Sequence, residues 1–268
     1  MSPPAISPPD EFRTIGDDAP LALVTGAARR IGAGFAKALA ADGFRVAIHC
    51  HRSRAEAEAL AAELRAAGHP APLVVSVDLA TADCGRALFA QLPATPRLLV
   101  NSASLFEEDW IDSLDPALFE RLMAINLRAP MLLTAALANA HPKGAHALVV
   151  NILDAKLAAP NPDHFSYTLS KFGLAGATEL AARALAARGI RVNAIAPAVT
   201  LVSGRQTVAE FEAAHAMNPL HRGVEVADLV RALRFLVRSP SVTGQTLTID
   251  SGQSFLALPR DVAYMHNP

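Results

Sequence analysis

Tyr167 and Lys171 are spaced i, i+4 in an Ala- and Leu-containing stretch, so on a helix both side chains lie on one face. An ammonium there favours the phenolate and can bring a tyrosine down from its reference of ~10 toward working pH, which makes Tyr167 a candidate general acid. The pairing is ordinary on an arbitrary helix, but this stretch follows an apolar strand-like run, Ala147 to Ile152. That run exits through Asn151-Ile152-Leu153-Asp154, which brings a carboxyl to the same strand end.

A second chemical signal opens the chain. Thr25-Gly26-Ala27-Ala28-Arg29-Arg30-Ile31-Gly32-Ala33-Gly34 follows a short apolar run and leads into a helical pattern. Gly26 can make the tight turn, Gly32 and Gly34 allow close helix-strand approach, and the helix N-terminus offers unpaired N–H groups to a pyrophosphate. In sheets that bind dinucleotides, an acid at the end of the second strand holds a ribose 2′-hydroxyl and repels a 2′-phosphate. Here that place reads His49-Cys50-His51-Arg52-Ser53, with no acid, and Arg30 adds another cation nearby. The cluster suits a dianionic phosphate, so the expected cofactor is NADPH over NADH. A solvated basic loop is the structural alternative.

These groups need a scaffold, and the chain alternates short apolar runs with Ala-rich helical stretches, the pattern of a parallel sheet covered on both faces. Strands are expected at Leu21–Thr25, Phe44–His49, Leu73–Val77, Leu98–Asn101, Ala147–Ile152, Arg191–Ala196 and Thr246–Ile249. Helices are expected near Ile31–Ala41, Arg54–Ala67, Pro116–Ala138, Ser166–Arg188 and Val226–Val237, with an irregular loop from Val199 to Arg222. The fold class is α/β: a doubly wound, Rossmann-type parallel sheet of about seven strands in one domain, residues 21–268. Met1 to Pro20, with five prolines and neither a basic start nor a continuous apolar segment, is expected to be a flexible arm and not a secretory signal.

Composition agrees with a globular protein and excludes other classes. Of 268 residues, 51% are apolar and 18% charged, enough for a sizeable core. A net charge of -1 leaves no global field for nucleic acid or an anionic membrane, and no uncharged apolar run reaches the ~18 residues of a membrane span. Cys50 and Cys84 have neither disulfide-framework nor metal spacing, consistent with a reducing, cytoplasmic compartment. His141, His146, His164, His215 and His221 show no convergent spacing; they read as surface or loop residues and no metal is expected.

Taken together, several motifs resemble the short-chain dehydrogenase/reductase family from Leu21 to about Phe255. They are the opening turn, Asp78-Leu79, Asn101-Ser102-Ala103-Ser104, Asn126, Tyr167-x-x-x-Lys171 and Asn193-Ala194-Ile195-Ala196-Pro197. Arg30 in the first turn, His51-Arg52-Ser53 and Asp154 are similar to its pteridine reductase and dihydromonapterin reductase branch. The resemblance implies that Asn126 holds a water in a proton relay, Lys171 binds the nicotinamide ribose and Tyr167 delivers the proton. It further implies cofactor contacts from Gly26, Arg30, Ile31, Gly32, His49, His51, Arg52, Ser53, Asp78, Leu79, Asn101, Ala103, Ser104 and Pro197. Ser104 and Phe106 would line the substrate site, with the Phe106 ring stacked on a flat pterin. A homotetramer through helices 116–138 and 166–188 is implied as well.

Most of the family has serine where Asp154 stands. A hydroxyl can polarise a ketone oxygen, whereas a carboxyl can exchange protons with a ring nitrogen, so aspartate suits reduction of a C=N bond. Dihydromonapterin or a related dihydropteridine is the expected substrate, with dihydrofolate a slower one. Two alternatives stay open: a 3-oxoacyl carrier-protein reductase or other carbonyl reductase, and a noncatalytic NADPH-binding sensor. Ser102, where much of the family has asparagine, departs from the pattern.

Overall fold

The computed structural model describes residues 9, 12, 19–202 and 207–265. Seven parallel strands form one sheet: β1 (Leu21–Val24), β2 (Arg45–Cys50), β3 (Leu73–Ser76), β4 (Leu98–Asn101), β5 (Ala147–Ile152), β6 (Ile190–Pro197) and β7 (Thr246–Ile249). Their order is β3-β2-β1-β4-β5-β6-β7, so the winding reverses between β1 and β4 and opens a crevice at the carboxyl edge there. The central strands are buried on both faces, which is why they are apolar throughout and do not alternate.

The helices are α1 (Arg30–Ala41), α2 (Arg54–Ala66), α3 (Cys84–Phe89), α4 (Pro116–Met123), α5 (Ala129–Ala140), α6 (Phe165–Leu185), α7 (Val208–Ala216) and α8 (Val226–Arg238). Successive strand residues feed opposite cores: Ala22 and Val24 pack with α1, α2 and α8, while Leu21 and Leu23 pack with α3, α5 and α6. Arg234 of α8 grips Asp42 at the end of α1 with two bonds of 2.7 and 2.6 Å, both side chains buried. Removing one partner of such a pair costs about 3–5 kcal/mol.

Four sequence expectations change. The helix expected from Pro116 to Ala138 is interrupted by one π turn, Ala124–Arg128, between α4 and α5. Pro130 has no N–H to return to the Asn126 carbonyl, so the regular ladder fails there. Within the loop expected from Val199 to Arg222, residues 208–216 form α7, started by a reciprocal cap between Thr207 and Glu210; residues 203–206 lie outside the described residues. The short α3 is additional, and Gly85 lets it press against α5, where a Cβ would meet the Leu132 carbonyl oxygen at 2.7 Å. Finally, the N-terminal segment is not wholly a free arm: Phe12 is fully buried, 6.1 Å from Phe44 between ring centres.

By length and composition alone, the continuous Pro116–Ala140 stretch could cross a bilayer, although the sequence reading found no such run. Half of its apolar window is buried inside the fold, with α5 packed against α3 and α4 against α6, as a core helix would be.

Candidate active site

A cavity of about 1130 Å³ opens where β1 and β4 diverge, larger than the ~300–1,000 Å³ typical of a site for one small ligand. It has two ends with different chemistry. One is lined by Gly26, Ile31, Gly32, His51, Arg52, Ser53, Asp78 and Leu79; the other by Asp154, Tyr167 and Lys171. Ala103, Ser104 and Pro197 also line it.

At the first end, Gly26 takes φ +63°, and a Cβ there would lie 2.9 Å from the Ala103 Cα. At Gly32 a Cβ would lie 2.3 Å from the Gly26 carbonyl oxygen, so the turn and α1 approach as closely as the glycines anticipated. Arg29, the residue before α1, makes no side-chain cap, and the first turn of α1 holds no acid. Its N–H groups are therefore available to an anion. Thr25 braces the opposite wall by accepting from the N–H groups of Ser102 and Ala103, both at 3.0 Å.

The basic cluster divides on inspection. Arg52 and Ser53 line the cavity, and Arg52 has no ion pair among the described residues. His51 lies 3.8 Å from Asp78. His49 corrects the sequence reading: its ring is buried, Nδ1 accepts from the Gly26 N–H at 3.2 Å and Nε2 donates to the Val77 carbonyl at 3.0 Å. Burial drives its pKa down to about 4, so it is a neutral strut under the phosphate turn, not a cation for a phosphate. Arg30 also departs. Its backbone is left-handed (φ 56°), and its guanidinium donates to the Val202 carbonyl at 2.6 Å, toward the segment after β6. The adjacent Arg29, which the sequence reading did not select, instead faces α2 and pairs with Glu56 at 3.5 Å. Asn101 does not line the cavity; it is buried and cross-links β4 to β5 by donating to Asn151 at 2.8 Å. A dinucleotide with a 2′-phosphate fits this end: an open helix start, no acid terminating β2, and the Arg52 guanidinium.

At the second end, the β5 exit places Asp154 beside α6. The Tyr167 hydroxyl donates to Asp154 Oδ2 at 2.7 Å, while Asp154 Oδ1 accepts the Lys156 N–H at 2.9 Å. Lys171 Nζ donates to the Ile152 carbonyl at 2.8 Å and stands 5.5 Å from the Tyr167 ring centre. Burial raises Asp154 above the usual carboxylate range, and burial together with the Asp154 carboxylate pushes Tyr167 well above 10. Burial also lowers Lys171 to about 8. The expectation that Lys171 would acidify Tyr167 is therefore reversed: Tyr167 stays a phenol, and Asp154 is the titratable member of the pair.

Asn126 sits in the π turn, buried and outside the cavity lining. Its Oδ1 accepts from the Leu105 N–H (2.8 Å) and Ser104 hydroxyl (3.3 Å), and its Nδ2 donates to the Leu105 carbonyl (2.9 Å) and Ser170 hydroxyl (3.1 Å). Those four bonds use the side-chain amide's whole capacity, so a relay water would have to meet the Asn126 main-chain carbonyl, to which Pro130 returns no N–H. Asn126 shapes the loop that carries Ser104 and Phe106. The Phe106 ring, 41% exposed, stacks on His164 at 4.2 Å and meets Tyr167 edge-on at 4.7 Å.

Several cavity residues had no sequence signal. Lys156, Arg260, Asp261 and Tyr264 line it, and buried Asp163 supports them. His164, set aside with the surface histidines, is buried and left-handed (φ 51°). The C-terminal group lies beyond the reach of the motifs, and nothing in its spacing marks it. Trp110 donates to Asp163 at 3.2 Å.

Comparison with known proteins places this geometry among reductases. A family model described as enoyl-(acyl carrier protein) reductase matches residues 26–254. Among curated relatives, the 3-oxoacyl-[acyl-carrier-protein] reductase of Synechocystis sp. is 31% identical, covering 87% of this chain and 96% of its own. Pteridine reductase 1 of Leishmania tarentolae is also 31% identical, over 90% and 98%. Among solved structures, FolM alternative dihydrofolate reductase 1 from Brucella suis, in complex with NADP, is 43% identical with a TM-score of 0.83, over 89% and 96%.

Proposed function

The chain belongs to the short-chain dehydrogenase/reductase family, and on that premise we propose that it reduces the C=N bond of a dihydropterin with NADPH. It is an NADP-dependent oxidoreductase. The pterin substrate is the finer reading, and one observation carries it: a carboxyl, Asp154, accepts the Tyr167 hydroxyl directly where a ketone-reducing member of the family keeps a serine. The likeness to a pteridine reductase and to FolM alternative dihydrofolate reductase 1 supports it.

NADPH, when bound, supplies the hydride. The α1 N-terminus and Gly26 turn would hold the pyrophosphate, and Arg52 with Ser53 the 2′-phosphate. Lys171, anchored on the Ile152 carbonyl, would present its ammonium to the ribose hydroxyls. As the ring carbon accepts hydride, the adjacent nitrogen gains a pair of electrons and needs a proton. In this reading Asp154, its pKa raised by burial, would supply that proton, and Tyr167 would orient the carboxyl and replace the lost bond by donating to it. Phe106 gives the flat ring a stacking face, worth ~0.5–1.5 kcal/mol beyond burial.

Dihydromonapterin or a related dihydropteridine is the first substrate in this reading, and dihydrofolate a slower one. A homotetramer belongs to the same reading, supported by Leu169, Phe172 and Leu180, which α6 leaves exposed. A cytoplasmic, reducing compartment would suit the two free, buried cysteines.

A second reading, reduction of a 3-oxoacyl thioester, is favoured by the likeness to 3-oxoacyl-[acyl-carrier-protein] reductases. A substrate panel with NADPH separates the two. Dihydropterin turnover is expected, while robust acetoacetyl thioester reduction without it would reverse the assignment.

A further inference from the structure

Leu258, Arg260, Asp261, Val262 and Tyr264 line the cavity, and this C-terminal stretch, residues 258–264, is held by one buried carboxylate. Asp163, 1% exposed, accepts from Arg260 Nε (2.8 Å), the Asp261 N–H (2.7 Å) and Trp110 Nε1 (3.2 Å). Burial alone would raise this carboxyl, and those donors outweigh it and hold it below the usual range. Docking is thus built on a permanent charge, with Arg260 supplying the counter-ion.

From this hub two short chains of contacts reach the chemistry. Lys156 Nζ donates to the Asp163 carbonyl (2.6 Å) and pairs with Asp261 (3.3 Å), while its own N–H holds Asp154 Oδ1 at 2.9 Å. On the other side, Tyr264 stacks on His164 (5.8 Å between centres, 18°), and His164 stacks in turn on Phe106 (4.2 Å, 27°). His164 Nδ1 donates to the Glu107 carbonyl at 2.9 Å, which fixes the ring despite its left-handed backbone. A non-glycine residue held in that region persists when its surroundings over-determine it.

We propose that residues 258–264 form a substrate-positioning strap: docked on Asp163, they hold Lys156 behind Asp154 and His164 behind Phe106, so the acid and the stacking ring are set together. The identity of the flat substrate rests on the pterin-reductase reading; the docking does not. Arg260, Asp261 and Tyr264 are positioning residues, since they act through Asp163, Lys156 and His164.

Trp110 is the chain's single tryptophan and bonds the same carboxylate, so its fluorescence reports the hub. The full chain is compared with one ending after Ala257, and with Arg260→Ala and Arg260→Lys. Loss of the strap is expected to shift Trp110 emission and raise KM for a 7,8-dihydropterin about tenfold, with NADPH affinity unchanged. Arg260→Ala should move both readouts in the same direction, and Arg260→Lys should restore most of the loss. A shortened chain that binds NADPH with unchanged emission and unchanged dihydropterin KM overturns the proposal. If the shortened chain does not bind NADPH, Arg260→Ala decides by the same two readouts. If the full chain turns over no dihydropterin, the substrate reading fails separately; KM for acetoacetyl thioester then replaces it, and the strap is judged on that and on Trp110.

Discussion

Tyr167 donates its proton to Asp154 across 2.7 Å, so the phenol and the carboxyl act as one unit with one readily lost proton. Burial keeps that proton on the pair: it raises both groups, and the carboxylate raises the phenol further. Lys171, bonded to the Ile152 carbonyl, steadies the ribose side and does not ionise the tyrosine.

Asp154→Asn keeps the shape and an acceptor for the Lys156 N–H, with its NH2 turned to the Tyr167 oxygen, but cannot give up a proton. Turnover of a dihydropterin should fall ~10²–10⁴-fold, the usual worth of a general acid. Stability should move the other way. Because the folded pKa lies above the unfolded 3.8, the stability this group contributes is present at low pH and lost as pH rises through the folded value. The variant escapes that loss, so its Tm should exceed that of the parent at pH 8 and converge with it below pH ~4. A variant less stable at pH 8 would contradict the assignment.

Tyr167→Phe removes a donor that lowers the Asp154 pKa. In the parent, kcat with a dihydropterin should decline as pH rises through the carboxyl's raised pKa, since the protonated form is the active one. In Tyr167→Phe the whole profile should be lower and its descending limb should lie at higher pH. A limb that stays in place would remove Tyr167 from the titrating unit.

Arg52→Ala should discriminate between the two nicotinamide cofactors. Loss of a charge-assisted hydrogen bond, ~1.5–3 kcal/mol, should weaken NADPH about 10- to 100-fold and leave NADH nearly unaffected. Steady-state KM values for both cofactors test this, and equal losses would mean Arg52 does not meet the 2′-phosphate.

Asn126→Ala strips four hydrogen bonds from the π turn and leaves both Leu105 backbone groups without that partner. About 1–3 kcal/mol of stability should be lost. Substrate KM should rise through Phe106, and NADPH affinity should hold. Asn126→Asp keeps the acceptor for the Leu105 N–H but sets a buried carboxylate oxygen against the Leu105 carbonyl, so it should cost at least as much as Asn126→Ala. A parent-like Tm would show that the loop is held by other contacts.

How far the sequence could be read depended on the range of the interaction. The central parallel strands, buried on both faces, must be apolar along their length, and the edge strands β3 and β7 keep β-branched residues, so β1 to β7 were legible to within a residue or two, and with them the open sheet. The Gly26 turn, the absence of an acid after β2 and the Tyr167/Lys171 spacing are likewise local, since each is set by a few neighbouring residues. Side-chain destinations were not legible. Four basic groups, His49, His51, Arg52 and Arg30, read as one phosphate cluster, yet burial made His49 a neutral strut, and the left-handed turn let Arg30 also bond the Val202 carbonyl.

What the amino-acid order determined unaided was the frame and the types of group available to it, because hydrophobic pattern and turn stereochemistry act over one element. What only the tertiary structure decided was their state and company. Asp154 owes its raised pKa to burial, which outweighs the phenol's hydrogen bond, Asn126 its role to a loop some twenty residues upstream, and the cavity wall its closure to Asp261 and Tyr264. Desolvation and long-range hydrogen bonding depend on which segments meet in space, and no local spacing encodes that meeting.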